Sequence, residues 1–198
     1  IESKGLKDIL VDLYAVYDDP ETINIEGLPE KFVIKTTNGS GTNVLCKKKS
    51  SVDLDKVKHD LCIWLKRDNF AVGREWSYKG IKPRIIIEEY LEDNDNNFDG
   101  LNDYKFMCFN GKIACVFVYT DRLSPTGMKS GIYSREFQPI PYKRTGLNEI
   151  NTLLEPPPGY EYMIKIAETL SEDFPHVRVD LYNVNGKIYF GEMTFTNS

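Results

Sequence analysis

Short apolar runs along the chain predict mainly β-strands, with two helices between them. From Leu54 to Trp64 the apolar residues recur every three or four positions, which is the period of a helix with one buried face. We expect this helix to begin near Ser50, where Asp53, three residues on, would complete a capping box. A second helix is predicted over roughly Tyr160–Ser171. The predicted strands cover residues 32–35, 44–48, 84–91, 104–109, 112–119, 177–182 and 187–195.

Two Asn-Gly pairs predict tight turns. Asn110-Gly111 and Asn185-Gly186 each stand between two apolar runs, which is the strongest short-range signal of a β-hairpin. The proline-rich stretch between the hairpins, residues 124–158, is expected to be a loop. Together these elements predict an α+β fold with mainly antiparallel strands.

Composition narrows the class of protein. The 198 residues have a formal net charge of −5, with 41% hydrophobic and 12% aromatic residues, which excludes a disordered chain and disfavours a nucleic-acid binder. No apolar run approaches the ~20 residues that cross a bilayer. The four cysteines include no Cys-x-x-Cys pair, so we expect buried thiols and a cytoplasmic protein. The start at Ile1 and the end just after a strand-like run predict a piece of a longer chain.

A glycine-rich loop follows the first buried strand. Lys35 ends that strand, and Asn38-Gly39-Ser40-Gly41 follows it. Glycines let backbone N–H groups approach phosphate oxygens, and a nearby lysine adds positive charge. The residue order fits neither a Walker A loop nor a dinucleotide fingerprint. Two interpretations stay open: a flap over phosphates with Lys35 at its root, or an ordinary hairpin loop beside a solvated lysine.

The most informative stretch runs from Arg178 to Thr194, and two hairpin registers are possible. A two-residue turn at Asn185-Gly186 sends Asp180 and Glu192 to opposite faces. A type I turn with a bulge at the glycine puts the polar side chains of both strands on one face. Two carboxylates there would repel each other unless a proton or a metal intervened, and oxygen ligands suit Mg²⁺. The other interpretation is an ion pair between Arg178 and Glu192, with Asp180 exposed.

Two further polar stretches are weaker evidence for a function. Glu88-Glu89-Tyr90-Leu91 ends an otherwise apolar strand, where backbone groups can meet a flat purine or the strand can simply reach the surface. Asp93-Asn94-Asp95 spells the Asp-x-Asp of metal-dependent nucleotide-sugar transferases, but a polar surface turn explains it better.

The order of these motifs resembles the ATP-grasp superfamily. The closer resemblance is to its TupA-like branch, found in capsule, exopolysaccharide and teichuronopeptide gene sets, and it covers nearly the whole chain. It implies an ATP-grasp-like fold with an N-terminal part, residues 1–91, that includes a glycine-rich flap subdomain at about 28–91. The C-terminal part, residues 92–198, would carry the metal-binding hairpin. The matching stretches are residues 28–41, 73–76, 82–91, 101–112 and 178–182.

The resemblance implies a role for each matching position. Lys35 would contact the ATP phosphates, Asp103 would bind the ribose beside Lys105, and Arg178 would stabilise charge during transfer. The implied ATP-binding residues are Lys35, Asn38, Gly39, Ser40, Gly41, Glu88, Glu89, Tyr90, Leu91, Asp103 and Lys105. The implied metal ligands are Asp180 and Glu192, with Thr194 where the superfamily usually has asparagine, and Asn197 as a possible substitute.

The activity implied by the resemblance is that of an ATP- and Mg²⁺-dependent ligase that activates a carboxylate as an acyl-phosphate. Its substrate would be a surface-polysaccharide precursor carrying a uronic acid or an amino acid. A glycosyltransferase that uses Asp93-Asn94-Asp95 is one alternative. A non-catalytic nucleotide-binding domain is another, because Thr194 and the missing flanking segments would permit it.

Overall fold

The fold is taken from a computed structural model of the chain. It consists of two compact units, each with its own sheet and core. The smaller unit comprises Val11–Tyr90, and the larger comprises Ile1–Leu10 together with the chain from Leu91 onward. The residues that the structure describes are 1–39, 41–68, 70–71, 76, 79–93, 98–142 and 144–196.

The smaller unit packs one helix against an antiparallel sheet. Its sheet has the strand order β1-β4-β2-β3, and its helix is α1. Alternate residues of the strands, such as Ile34 and Ile87, are fully buried and pack with Leu61 of the helix. The bounds are Leu13–Tyr17 for β1, Phe32–Thr36 for β2, Asn43–Cys46 for β3, Ile85–Glu89 for β4 and Leu54–Leu65 for α1.

The start of α1 differs from the prediction. The helix begins at Leu54 rather than near Ser50, because the Asp53 side chain accepts a hydrogen bond from the Lys56 backbone N–H at 3.0 Å and so caps it. Lys49–Ser51 forms a separate 3₁₀ turn. The predicted capping box is therefore wrong, because Asp53 itself is the N-cap and Ser50 lies before the helix.

The larger unit packs one helix, α2, against one face of a second sheet. Among the described residues this sheet has the order β10-β9-β5-β6-β7-β8, and only the short β7–β8 pair is parallel. Its core includes Phe106, Val179 and Leu181 of the sheet and Met163 of the helix, all fully buried. The bounds are Asp103–Phe109 for β5, Lys112–Thr120 for β6, Lys129–Tyr133 for β7, Asn148–Glu149 for β8, Tyr160–Ser171 for α2, His176–Val184 for β9 and Lys187–Thr194 for β10.

Both predicted Asn-Gly hairpins are present. Asn110 and Gly111 have φ values of 48° and 75°, and Asn185 and Gly186 have 51° and 85°. Two successive positive φ values produce the turn that matches the twist of antiparallel strands, which is why asparagine and glycine occupy it. The α+β fold with mainly antiparallel strands is thereby confirmed.

Two other expectations need correction. Residues 124–158 are not all loop, because they contain β7 and β8. The first ten residues pack with the larger unit rather than with the N-terminal part of the chain. Ile9 joins the larger core, and Lys4 forms ion pairs with Glu172 and, at 2.6 Å, with Asp173. No helix in the described part of the chain has the length and apolar character needed to cross a membrane.

Candidate nucleotide and metal site

The larger sheet has one face that packs against α2 and an opposite face that carries charge. Strand pairing sets this second face, because Lys105 lies opposite Asp180 and Asp103 lies opposite Tyr182 in the β5–β9 ladder. Residues directly opposite each other in a ladder point to the same side of the sheet. We call this side the charged face; its ionic side chains are Asp103, Lys105, Arg178, Asp180 and Glu192.

A bulge in β10 brings the two predicted metal ligands together. The hairpin begins with the two-residue turn, but the register shifts between Phe190 and Glu192, so that Glu192 lies opposite Asp180. The inserted residue is Gly191, and a Cβ atom there would meet the Asp180 carbonyl oxygen at 3.1 Å. A larger residue would have to push this carbonyl away by a few tenths of an ångström, so the close approach of the strands favours glycine.

Neither of the two predicted registers is right as a whole. The turn at Asn185-Gly186 is the one that should have separated the carboxylates, yet Asp180 and Glu192 share a face as in the other register. The reason is that the bulge lies at Gly191, near the open end of the hairpin, and not at Gly186.

Arginine and lysine neutralise the carboxylates of the charged face. Arg178 donates to Asp180 Oδ1 from Nε at 2.7 Å and to Asp180 Oδ2 from Nη2 at 2.8 Å. Its Nη2 also donates to Glu192 Oε1 at 2.6 Å. Lys105 bridges Asp180 and Asp103, with 2.9 Å between its Nζ and Asp103 Oδ2. Thr194 donates to Glu192 Oε1 at 3.3 Å.

This network corrects both electrostatic expectations for the hairpin. The carboxylates of Asp180 and Glu192 do not need a metal to offset their repulsion. Arg178 forms ion pairs with both of them, and Lys105 forms a further ion pair with Asp180. The Arg178–Glu192 ion pair exists, but Asp180 is buried, with 1% of its surface exposed, rather than solvated.

Asp103 has a partner that the sequence analysis missed. Arg122, which follows β6, donates from Nη1 to Asp103 Oδ2 at 2.8 Å. Asp103 is itself only 1% exposed, and its Oδ1 is buried without a hydrogen-bond partner among the described residues. A buried acceptor of this kind is costly unless a ligand or water satisfies it. The nearest sequence signal for Arg122 is its place directly after a strand whose hairpin partner begins at Asp103.

Burial and neighbouring charges both shift the pKa values of the ionic groups on the charged face. Burial raises the pKa of Asp103, and it does so against the pull of Lys105. Burial alone would lower the pKa of Lys105, but the charges of Asp103 and Asp180 outweigh it and raise that pKa. Partial burial, with the nearby charge of Asp180, also raises the pKa of Glu192. These groups interact in one network, so removing the charge of one side chain will change the pKa values of the others.

The donor set fits Mg²⁺ that is bound together with a polyphosphate. Asp180 and Glu192 offer oxygen ligands from opposite positions of one hairpin. No cluster of three or more acidic, histidine or cysteine side chains able to hold a metal occurs in the part of the chain that the structure describes. Mg²⁺ usually takes one or two carboxylates and completes its coordination with phosphates and water. Two carboxylates therefore suffice, with Thr194 beside them.

In the smaller unit, Lys35 lies on the sheet face away from α1. Its Nζ lies 2.5 Å from Glu88 Oε1, and about a third of the lysine side chain is exposed. Val33 and Ile86 share this face with it, since Lys35 pairs with Ile86 and Val33 pairs with Glu88. We call this side the open face; its members are Val16, Val33, Lys35, Leu45, Ile86 and Glu88.

The glycine loop has one residue with a clear structural role. The Asn38 side chain is buried and donates from Nδ2 to the carbonyl oxygens of Trp64 at 3.1 Å and of Arg67 at 3.2 Å. Trp64 lies in the last turn of α1 and Arg67 follows the C-cap residue Lys66, so Asn38 joins the glycine loop to the C-terminal end of that helix. A role of Asn38 in binding phosphate would have to involve its backbone. Gly41 has a φ of 71° and open space at its Cβ position.

The predicted adenine contact falls at the end of β4. The Glu89 backbone N–H donates to the Asp12 carbonyl oxygen at 2.9 Å, so this group already belongs to the sheet. Glu88 lies in the ladder between β1 and β2. Tyr90 and Leu91 follow the strand and are half-buried. The backbone of these last two residues is thus better placed than that of Glu88 or Glu89 to meet a purine edge.

Several predicted residues lie outside the described part of the chain. They are Ser40, residues 73–75, Asn94, Asp95 and Asn197.

Two solved structures share the fold. The D-alanine–D-alanine ligase from Bacillus anthracis, complexed with ATP, matches with a TM-score of 0.51 and 13% identity over 98% of this chain and 52% of that one. The ATP-grasp ligase PsnB, complexed with a phosphomimetic variant of its minimal precursor, Mg and ADP, matches with a TM-score of 0.50 and 10% identity over 99% of this chain and 49% of that one. The chain therefore has an ATP-grasp fold and spans about half the length of these ligases.

The family is more specific than the fold. The model of the TupA-like ATP-grasp family matches residues 1–198, so the chain belongs to that family. The predicted resemblance to the TupA-like branch is confirmed. No curated protein matches the sequence.

Proposed function

We propose that the chain binds MgATP and is the ATP-binding part of a ligase that activates a carboxylate. The observation that carries this proposal is the Gly191 bulge, which sets Glu192 opposite Asp180 on the charged face. Membership of the TupA-like ATP-grasp family supports the same activity.

The larger unit would bind the phosphates through Mg²⁺. Asp180 and Glu192 would hold the ion, which would bridge phosphate oxygens and neutralise their charge. Arg178 contacts both carboxylates, which supports a role in which its guanidinium would donate to a transferred phosphoryl group. Lys105 would supply a further positive charge beside it.

The smaller unit carries its own candidate groups for contacting a nucleotide. Lys35 would contact the phosphates, with Gly39, Ser40 and Gly41 as the flap over them. The half-buried Tyr90–Leu91 segment would contact the adenine edge. The apolar side chains of the open face, such as Val33 and Ile86, suit the flat face of a purine. Asp103, whose Oδ1 accepts no hydrogen bond from a described residue, would accept one from a ribose hydroxyl.

The proposed ligase reaction would proceed in two steps, phosphorylation of the carboxylate and displacement of phosphate by an amine. A carboxylate oxygen of the substrate attacks the γ-phosphorus of ATP, the bond to the β-phosphate oxygen breaks, and an acyl-phosphate and ADP form. An amine nitrogen then attacks the acyl carbon, phosphate leaves, and the nitrogen loses a proton. Positioning and charge stabilisation would supply most of the rate. We further propose that the substrate is a cell-surface polysaccharide precursor, as the family resemblance implies.

Trapping of the acyl-phosphate tests the reaction. The chain would be incubated with MgATP, hydroxylamine and a panel of uronic acids and amino acids, and hydroxamate and ADP would be measured together. We expect both products to form with at least one carboxylate and to be lost in Asp180→Asn. Asp8→Asn, an exposed aspartate of the same unit, is the matched control. ADP release that no carboxylate stimulates, without hydroxamate, would contradict the ligase.

The neutralised charged face favours a second candidate, a nucleotide-binding domain without catalysis. Its carboxylates are already paired with Arg178 and Lys105, and Thr194 stands in place of asparagine. This candidate predicts that MgATP raises the melting temperature by ligand linkage but is never hydrolysed. A glycosyltransferase would instead be stabilised by UDP-glucose.

A further inference from the structure

A tyrosine of the charged face holds an arginine from the loop that follows β7. Tyr119 lies in β6 opposite Asp103 and is 3% exposed. Arg144 Nη1 donates a hydrogen bond to the Tyr119 hydroxyl, and the guanidinium carbon lies 5.8 Å from the centre of the ring. Lys105 Nζ lies at the same distance from that ring, so Tyr119 contacts both Arg144 and the ion network of the charged face.

Arg144 differs from the other cations near this face. Lys105, Arg122 and Arg178 each form an ion pair with a buried carboxylate. Among residues 1–39, 41–68, 70–71, 76, 79–93, 98–142 and 144–196, none places a carboxylate within ion-pair distance of Arg144. Its side chain is exposed, while its position is fixed by a buried phenol.

An oriented arginine without an acidic partner suits an anion. The planar guanidinium presents two parallel N–H groups, which match the two oxygens of a carboxylate. One Nη group contacts Tyr119, and no residue in the described part of the chain accepts a hydrogen bond from the other guanidinium donors, which can therefore serve a ligand. The tyrosine limits the rotamers of the arginine, which reduces the entropy lost when a ligand binds.

We propose that Arg144, positioned by Tyr119, binds the carboxylate of the acceptor substrate. This inference rests on the proposed function, because it assigns the second substrate of that reaction. Lys105 Nζ contacts Asp180 and lies 5.8 Å from the centre of the Tyr119 ring, so Tyr119 and Arg144 flank the β6 side of the charged face. A carboxylate at Arg144 would therefore lie next to phosphates held at Asp180, where it could attack the γ-phosphorus. The ligand class is a small organic acid.

The test uses a charged ligand and its uncharged counterpart. D-glucuronate and D-glucose would be titrated into the whole chain, with and without MgADP, while the Nε–H signal of Arg144 is followed by NMR. We expect glucuronate to shift this signal and glucose to leave it unchanged. In Arg144→Gln the dissociation constant for glucuronate should rise about tenfold, whereas Arg135→Gln, which removes an arginine paired with Glu168, should leave it unchanged.

Tyr119→Phe separates positioning from binding. This substitution keeps the ring and removes the hydroxyl that holds the guanidinium. The Nε–H signal of Arg144 should therefore move towards the chemical shift of a mobile arginine, and glucuronate should bind about threefold more weakly. Glucuronate and acetate that leave the Arg144 signal unchanged up to about 50 mM, a range that covers weak affinities, would overturn the proposal. Equal binding to Arg144→Gln, or a stronger shift with inorganic phosphate than with glucuronate, would overturn it as well.

A second measurement, nucleotide binding, distinguishes failure of this inference from failure of the proposed function. Calorimetry with MgADP alone reports whether the nucleotide binds, independently of Arg144. Absence of MgADP binding together with Arg144-dependent glucuronate binding would reject the nucleotide proposal and retain the carboxylate site. Normal MgADP binding with no effect of Arg144→Gln on glucuronate would do the reverse.

Discussion

The two units present charge in opposite ways. On the charged face of the larger unit, Asp103, Asp180 and Glu192 are matched by Lys105, Arg122 and Arg178, and the two aspartates are almost completely buried. On the open face of the smaller unit, one partly exposed pair, Lys35 and Glu88, stands among apolar side chains.

This difference distinguishes charged side chains that contribute strongly to the stability of the fold from charged side chains that contribute little to it. In the larger unit, a missing ion would leave a buried opposite charge uncompensated, which is strongly destabilising. In the smaller unit, water can replace either partner at little cost. The same kind of substitution should therefore affect stability as well as affinity in the larger unit, and mainly affinity in the smaller one.

The largest loss of stability is expected for Asp180→Ala. It leaves Arg178 and Lys105 without their common buried carboxylate, and we expect the free energy of unfolding to fall by about 3 kcal/mol. Urea denaturation followed by circular dichroism measures this. Asp8→Ala, at an exposed position of the same unit, should change it by less than ~0.5 kcal/mol. An equal effect of the two substitutions would refute the contrast.

A somewhat smaller loss, about 2 kcal/mol near neutral pH, is expected for Lys105→Met. Because the pKa of Asp103 is raised above 3.8 in the folded chain, its contribution to stability is full below that value and is lost as the pH rises through the folded pKa. Removing Lys105 raises this pKa further. The difference from the unaltered protein should shrink as the pH is lowered from about 7 to 4. A pH series of urea denaturation checks it, and a constant difference would count against the network.

Asn38→Ala should cost less, about 1 kcal/mol, because it removes the side-chain hydrogen bonds at the C-terminal end of α1 and takes this donor from the Arg67 carbonyl, whereas the Trp64 carbonyl still accepts from the Arg67 backbone N–H. Since the side chain faces the helix, the affinity of the folded chain for MgATP should stay within about twofold. Thermal unfolding and calorimetry give the two values. Loss of affinity at unchanged stability would instead make the Asn38 side chain a ligand-binding group.

The smallest loss of stability, less than ~1 kcal/mol, is expected for Lys35→Met, because its ion pair with Glu88 is partly exposed. Its affinity for MgATP should nevertheless fall about tenfold, as the charge-assisted contact to phosphate is removed. Lys47→Met, an exposed lysine of the same unit, is the matched control. A variant at Lys35 that binds as tightly as this control would remove the residue from the site.

Local sequence patterns predicted most of the fold because they depend on near neighbours. The Asn-Gly turns and the apolar periods of α1 and α2 are set within a few residues. The short strands β7 and β8 were missed because their stability comes from pairing with β6 and with each other rather than from their own composition.

The candidate site was harder to predict because it depends on register and on distant partners. The bulge lies at Gly191 rather than at Gly186, and only the approach of Gly191 to the Asp180 carbonyl shows why glycine is favoured there. The neutralising role of Lys105 needs the β5–β9 pairing, which joins residues far apart in the chain. Arg122 and Arg144 follow strands or lie in loops, where no local pattern indicates their partners.

The most direct measurement of the central claim is calorimetry of ATP binding with Mg²⁺ and with EDTA. The account predicts one site, an Asp180→Asn variant that binds MgATP about tenfold more weakly but binds ATP in EDTA like the unaltered chain, and a Lys35→Met variant that is weakened in both conditions. An Asp180→Asn variant with unchanged affinity for MgATP, or a chain that binds no ATP, would contradict it.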